Sequence, residues 1–173
     1  MKTVIIYHSQ TGFTERYAKW LAEATGADCL TLSAARKTPL DGYEAIVFGS
    51  WMCAGGISKL GWFRDDLARW AGKKRIVFCV GGSPAESPDV PVALRRSLSG
   101  AEWEGVHAFY CPGGINYEKM SLPSRAVMKA FAAGVRGKKD KTEAERAMAE
   151  LLSASYDLSD RRYLEPILAC LRD

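Results

Sequence analysis

The chain has 173 residues, 47% hydrophobic and 25% charged, which fits one globular α/β domain and argues against a disordered or fibrous chain. Its net charge of +4 is a mild excess, gathered in Lys73-Lys74-Arg75 and in residues 136–141, and no basic face interleaved with aromatics points to nucleic acid. The five cysteines stand singly with no C-x-x-C pair, which argues against zinc, cluster and dithiol sites, and no apolar run approaches the roughly 18 residues of a membrane span, so a cytoplasmic location is expected.

Apolar runs bounded by turn residues alternate with helical periodicity, the pattern of parallel strands joined by helical crossovers. Residues 3–7 read as a buried first strand. A helix from about Thr14 follows, with Tyr17, Trp20, Leu21 and Ala24 on one face and Gly26 as its stop. Residues 28–32 form a short second strand, and 45–48 an apolar third ending at Gly49-Ser50. Ser58 can cap the next helix, which carries Leu60, Phe63, Leu67 and Trp70 before Gly72. The fourth strand is 76–80, a short helix spans about 91–98, and a fifth strand lies near 106–110. Beyond it, residues 115–156 are mostly helical where one closing helix would suffice, so a helical insertion is expected. Leu122, Val127, Met128, Phe131 and Val135 mark one of its helices, and Thr142 with Glu145 makes a capping box for another. A segment with Leu164, Ile167, Leu168 and Leu171 closes the chain, its helix limited by Pro166.

The most informative stretch is Ser9, Gln10, Thr11, Gly12, Phe13 and Thr14, between the first strand and the first helix. A phosphate needs backbone N–H groups, hydroxyl donors and the positive end of a helix, and this position offers all three. The loop holds no Lys or Arg, and both the G-x-x-x-x-G-K-[S/T] loop and the G-x-G-x-x-G fingerprint are absent, which disfavours ATP hydrolysis and a Rossmann-type NAD site. The same residues also fit a bland role, with Ser9 and Thr14 capping the helix and Gly12 making the turn. A phospho-acceptor Asp is disfavoured, since His8-Ser9 and Gly49-Ser50 end strands one and three.

In doubly wound sheets the ligand sits beyond the C-terminal ends of the strands. Three small-residue loops lie there: Ser50, Trp51, Met52, Cys53, Ala54 and Gly55 after strand three; Gly81, Gly82 and Ser83 after strand four; and Gly113, Gly114 and Tyr117 after strand five. The loop reading [S/T]-x-T-G-x-T, matched by residues 9–14, resembles the flavodoxin family. The whole chain is similar to the branch that contains the quinone-dependent protoporphyrinogen IX dehydrogenases, which carry a long insertion after strand five.

That resemblance implies a flavodoxin-like α/β fold: a doubly wound, five-stranded parallel sheet in the order 2-1-3-4-5 with helices on both faces. It implies one FMN, its phosphate held by residues 9–14 and its ring facing residues 50–55, with 81–83, Gly113 and Gly114 closing the pocket. Trp51 is the first candidate to stack on the ring and Tyr117 the second, with core packing the alternative for Trp51. The expected activity is electron transfer between a donor and a quinone or a redox partner protein, protoporphyrinogen oxidation being one specific form. A carrier with no substrate of its own and an FMN-free interaction module stand as alternatives. The chain departs from ordinary flavodoxins in being slightly basic. Its insertion, with Met120, Leu122, Val127, Met128 and Phe131 beside Arg136, Lys138 and Lys139, serves either peripheral membrane contact or packing on the domain. No side chain stands out as a general acid, base or nucleophile; His8 is placed to touch the phosphate or its linker, while His107 packs or faces water.

Overall fold

The computed structural model describes residues 1–53 and 55–173. Strand β1 (Thr3–Tyr7) leads through helix α1 (Phe13–Thr25) to β2 (Asp28–Thr31), the short α2 (Leu32–Ala35) and β3 (Ala45–Cys53). A two-residue strand β4 (Gly56–Ile57) precedes α3 (Leu60–Asp65), β5 (Lys74–Gly81), α4 (Asp89–Ser97) and β6 (Val106–Pro112). The segment that follows holds β7 (Gly114–Ile115), α5 (Leu122–Gly137), α6 (Glu143–Leu151) and β8 (Tyr156–Asp157), before α7 (Glu165–Arg172).

The main strands lie in the order β2-β1-β3-β5-β6, all parallel, with β4 paired antiparallel to β3. Counting only the five long strands, this is the expected order 2-1-3-4-5. Parallel strands covered on both faces need apolar residues at every position, and β1 supplies them: Val4 and Ile6 pack into one cluster, Ile5 into the other. The first cluster adds Ile46, Phe48, Phe63 and Trp70, and Leu94 of α4 packs against it. The second joins Val47, Ile76 and Phe78 to Tyr17 and Leu21 of α1 and Ile167 of α7. Helices thus cover both faces.

Several local expectations change. The third strand does not stop at Gly49-Ser50 but runs to Cys53, because Ser50 and Trp51 continue the ladder opposite Cys79 and Val80 and Met52 pairs with Ile57. Residues 50–53 are therefore strand rather than loop, and Ala54 lies outside the described residues. Ser58 is not the cap of α3: its N–H donates to the Trp51 carbonyl at 2.9 Å, closing the hairpin, and Lys59 takes the cap position. Helix α3 ends at Asp65, with Leu67 and Trp70 buried in the turns beyond it. Ala24 of α1 is exposed, and Ala18 replaces it on the buried face.

The helical insertion is closed at its base by β7 and β8, antiparallel with Ile115 opposite Tyr156. Its capping box forms as read, Thr142 Oγ1 accepting from the Glu145 N–H at 3.2 Å and Glu145 accepting from the Thr142 N–H at 2.9 Å. Ile115, Ala132 and Leu152 make a small separate core, with Met128, Val135 and Met148 against it. The apolar residues of α5 therefore divide, for Leu122, Val127 and Phe131 are 79%, 70% and 55% exposed.

Candidate functional site

The C-terminal ends of β1, β3, β5 and β6 share one edge of the sheet, and the sequence-selected residues fall along it. At β1 the chain turns into α1 through Gly12, whose φ of +99° is closed to most side chains and beside which a Cβ would meet open space. Gly12 is itself the N-cap, and no side chain caps the 13-residue helix. The first-turn amides of α1 thus face outward with the helix dipole behind them, a ready anion nest. Ser9 Oγ accepts from the Gly12 N–H at 3.2 Å, so one amide of the loop is already used, and the serine hydroxyl keeps its own proton to donate. Thr14 is buried and Thr11 half-buried. Gln10 points away from this nest, donating from Nε2 to Ser124 Oγ at 2.9 Å at the start of α5.

At β3 the geometry carries two unmet polar groups. Ser50 is fully buried, and neither its Oγ nor the buried Nε1 of Trp51 has a hydrogen-bond partner. The interior ordinarily leaves few such groups unpaired. The Trp51 ring lies 6.4 Å from that of His8 at 30°, and the backbone N–H of His8 donates to the Gly49 carbonyl at 2.9 Å. Burial, reinforced by the charges of Lys59 and Arg36, holds the His8 imidazole below its ordinary value, so the ring is neutral at neutral pH. Met52 is half-buried; Cys53 and Gly55 are exposed on the hairpin.

The loops after β5 and β6 are built differently, their glycines making room for protein atoms. A Cβ on Gly81 would stand 2.6 Å from the Tyr110 hydroxyl, one on Gly82 2.8 Å from that of Tyr156, and one on Gly113 2.6 Å from Val80 Cγ1. At Gly114 it would lie 2.0 Å from the Tyr156 carbonyl oxygen. The hydroxyls so admitted hold the loops. Tyr110 donates to the Ser83 carbonyl at 2.8 Å and accepts from the Ser83 N–H at 3.1 Å, while Tyr156 donates to the Gly82 carbonyl at 2.7 Å. Tyr17 donates to the Pro112 carbonyl at 2.6 Å and accepts from the Asp160 N–H at 3.1 Å. None of these three tyrosines is a site candidate in the sequence: Tyr17 and Tyr110 read there as helix and strand residues, and Tyr156 carries no local signal. Tyr117 belongs to the insertion, its hydroxyl donating to the Leu152 carbonyl at 2.8 Å and its ring packed on the small core. His107 is exposed on the edge strand β6.

A cleft of about 660 Å³ opens from Thr11 and Gly12 along the flank of α1 towards Asn116 and Ser155. It shares only the start of the helix with the strand-end residues, and its charged lining is self-neutralised: Arg16 pairs with Asp157, and Lys19 with Glu15 at 2.6 Å. The uncapped helix start and the unpaired groups on β3 lie at the strand ends, and neither Ser50 nor Trp51 lines this cleft. Among the described residues no group of His, Cys, Asp and Glu has the arrangement of a metal site, and no helix is long and apolar enough to cross a membrane.

The chain is similar to a WrbA-like flavodoxin protein of Agrobacterium tumefaciens, at 20% identity over 87% of this chain and 94% of that one, with a TM-score of 0.47. It is also similar to the Trp repressor binding protein of Bacillus subtilis, at 13% identity over 87% and 98% of the two chains and a TM-score of 0.48. A flavoprotein of Lactobacillus acidophilus, solved in complex with FMN, aligns at 13% identity over 64% and 91% with a TM-score of 0.40. No curated protein matches the chain. Sequence and fold meet in the match of the flavodoxin domain to residues 4–143, and the chain belongs to the flavodoxin domain family.

Proposed function

We propose that the strand-end edge binds FMN and that the protein passes electrons between a reduced donor and a quinone or protein acceptor. The observation that carries this reading is the pairing of an uncapped helix start with two buried, partnerless polar atoms on the neighbouring strand end. The residues fit the group. A phosphate suits the first-turn amides of α1 with the hydroxyls of Ser9, Thr11 and Thr14, and a heteroaromatic ring with edge donors and acceptors suits Ser50 Oγ and Trp51 Nε1. When bound, a flavin supplies one- and two-electron chemistry that no side chain here can perform. The chain's part is to bind and orient: α1 holds the anion, β3 presents Trp51, and Tyr110 and Tyr156 stiffen the opposite loop. An FMN-free scaffold would gain nothing from keeping Ser50 and Trp51 unpaired.

The acceptor has two readings. The exposed apolar side chains of α5, Leu122, Val127 and Phe131, favour a quinone at a membrane surface, with protoporphyrinogen as the donor to test first. A carrier without its own substrate would turn over neither.

The test is titration of purified protein with FMN and with riboflavin, which lacks the phosphate, following the flavin absorption bands and fluorescence. FMN should bind much more tightly than riboflavin, and Thr11→Ala with Thr14→Ala, which removes both hydroxyl donors, should weaken FMN binding while leaving the weak riboflavin binding unchanged. Equal affinity for the two would refute the anion nest. Turnover of protoporphyrinogen with a soluble quinone then separates enzyme from carrier.

A further inference from the structure

Three exposed basic side chains from three different elements frame the strand end that carries Ser50 and Trp51. Arg36 follows α2 after β2, Lys59 opens α3 after the β3–β4 hairpin, and Arg96 lies on α4. Arg96 reaches across the hairpin, its Nη1 3.7 Å from where a Cβ on Gly55 would stand. Arg36 and Lys59 both bear on His8, which lies beside Trp51. Lys59 is held in the left-handed region at φ 58°, the one non-glycine residue there among those described, so the hairpin closure fixes where its side chain begins.

Among the described residues these charges have no ion-pair partners. The ion pairs among the described residues engage Arg16, Lys19, Arg64, Arg69, Lys138, Arg161, Arg162 and the amino terminus, and none engages Arg36, Lys59 or Arg96. Part of the net +4 is thus left unneutralised at this edge. The three side chains are exposed, on three separate elements, and none of them lines the 660 Å³ cleft, which lies along α1. Spaced, solvated charges grip a small anion poorly, but together they steer and orient a large one.

We propose that this edge is the docking face for an acidic redox protein, whose carboxylates meet Arg36, Lys59 and Arg96 around the Trp51 hairpin. The inference rests on the FMN reading for its purpose, since docking here brings a partner against the strand end where the flavin is placed. It stands on its own for the contact, which needs only the protein's surface.

The experiment measures binding of the full chain, with and without FMN, to a plant-type [2Fe–2S] ferredoxin as the acidic probe and to cytochrome c as the basic one. Ferredoxin should bind at low salt and lose roughly tenfold or more in affinity at high salt, as exposed charge pairs are screened. The variant carrying Arg36→Glu, Lys59→Glu and Arg96→Glu should lose ferredoxin binding at low salt and gain cytochrome c binding, with its thermal midpoint close to that of the parent. Single Arg36→Gln and Lys59→Gln variants, each with a smaller loss, serve should the triple variant misfold. Ferredoxin binding that is absent at low salt, or equal in parent and variants, overturns the proposal. So does capture of anionic lipid vesicles through these three residues with ferredoxin ignored. Ferredoxin binding by protein that takes up no FMN would support the docking face and sink the cofactor reading, whereas FMN uptake without ferredoxin binding would do the reverse.

Discussion

Replacing Ser50 by alanine should stabilise the ligand-free protein while weakening its hold on FMN. Ser50 is fully buried and its Oγ has no hydrogen-bond partner. A hydroxyl kept unpaired in an interior costs roughly 1–3 kcal/mol. Deleting one oxygen leaves a void no larger than that of an Ile→Val change, which offsets about 1 kcal/mol, so the net gain is about 0–2 kcal/mol, centred near 1 kcal/mol. At 173 residues each kcal/mol moves the midpoint by roughly 2–4 °C, giving a rise of about 2–4 °C at the centre of that range by scanning calorimetry of the apoprotein. With FMN the sign reverses. If the ligand pairs with Oγ, losing that bond costs about 0.5–1.5 kcal/mol, a roughly twofold to tenfold weaker dissociation constant by fluorescence titration. A lower midpoint for the apo variant would refute the reasoning, since it would mean the hydroxyl is already satisfied in the folded protein.

Other outcomes follow from close contacts and burial. Gly114→Ala would place a Cβ 2.0 Å from the Tyr156 carbonyl, so the β7–β8 pair should open at a cost of about 3 kcal/mol or more, seen as faster amide exchange at Ile115 and Tyr156. Burial pushes the Cys79 thiol up to about 12, and burial followed by the proximity of Cys79 pushes Cys111 up as well, whereas Cys53 is exposed. Mass spectrometry after alkylation of the native protein near neutral pH should therefore find Cys53 modified and Cys79 and Cys111 spared. Because Cys79 and Cys111 hold their protons more tightly folded than unfolded, their contribution to stability is full below the unfolded value of 9.0 and lost as pH rises above it, which urea midpoints at alkaline pH will show. His8 has the opposite sign. Its folded value is lowered by burial, then by Lys59 and Arg36, so its contribution is present above 6.5 and lost as pH falls; its imidazole NMR signal should titrate below 6.5 and move upward in Lys59→Gln.

The parts of the fold legible in the sequence are those governed by local pattern. The five apolar runs, the turn from β1 into α1 and the capping box at Thr142 need no knowledge of tertiary neighbours, and each stands where it was read. The extension of β3 to Cys53 was not legible, because Ser50-Trp51-Met52-Cys53 between Gly49 and Gly55 carries the composition of a turn. Only the partners Cys79, Val80 and Ile57 make it a strand. The same holds for α5: helical period groups Leu122 and Phe131 with Met128, yet the small core reaches only the stripe through Met128, Ala132 and Val135.

The site was legible on one side for a related reason. Residues 9–14, the anion site proposed above, announce themselves because a glycine turn feeding a helix start is a local device. The opposite wall is not local. Gly82 is held by Tyr156, Ser83 by Tyr110 and Gly113 by the Leu158 N–H at 2.6 Å, contacts between residues 27 to 74 positions apart in the chain. Two of these anchors, Tyr156 and Leu158, come from the end of the helical insertion and just beyond it, and Gln10 ties the 9–14 loop to its beginning through Ser124. The insertion therefore does more than append two helices. Its entry is hydrogen-bonded to the 9–14 loop through Gln10 and Ser124, and its exit to the loops after β5 and β6 through Tyr156 and Leu158, contacts that no local stretch of sequence alone makes legible.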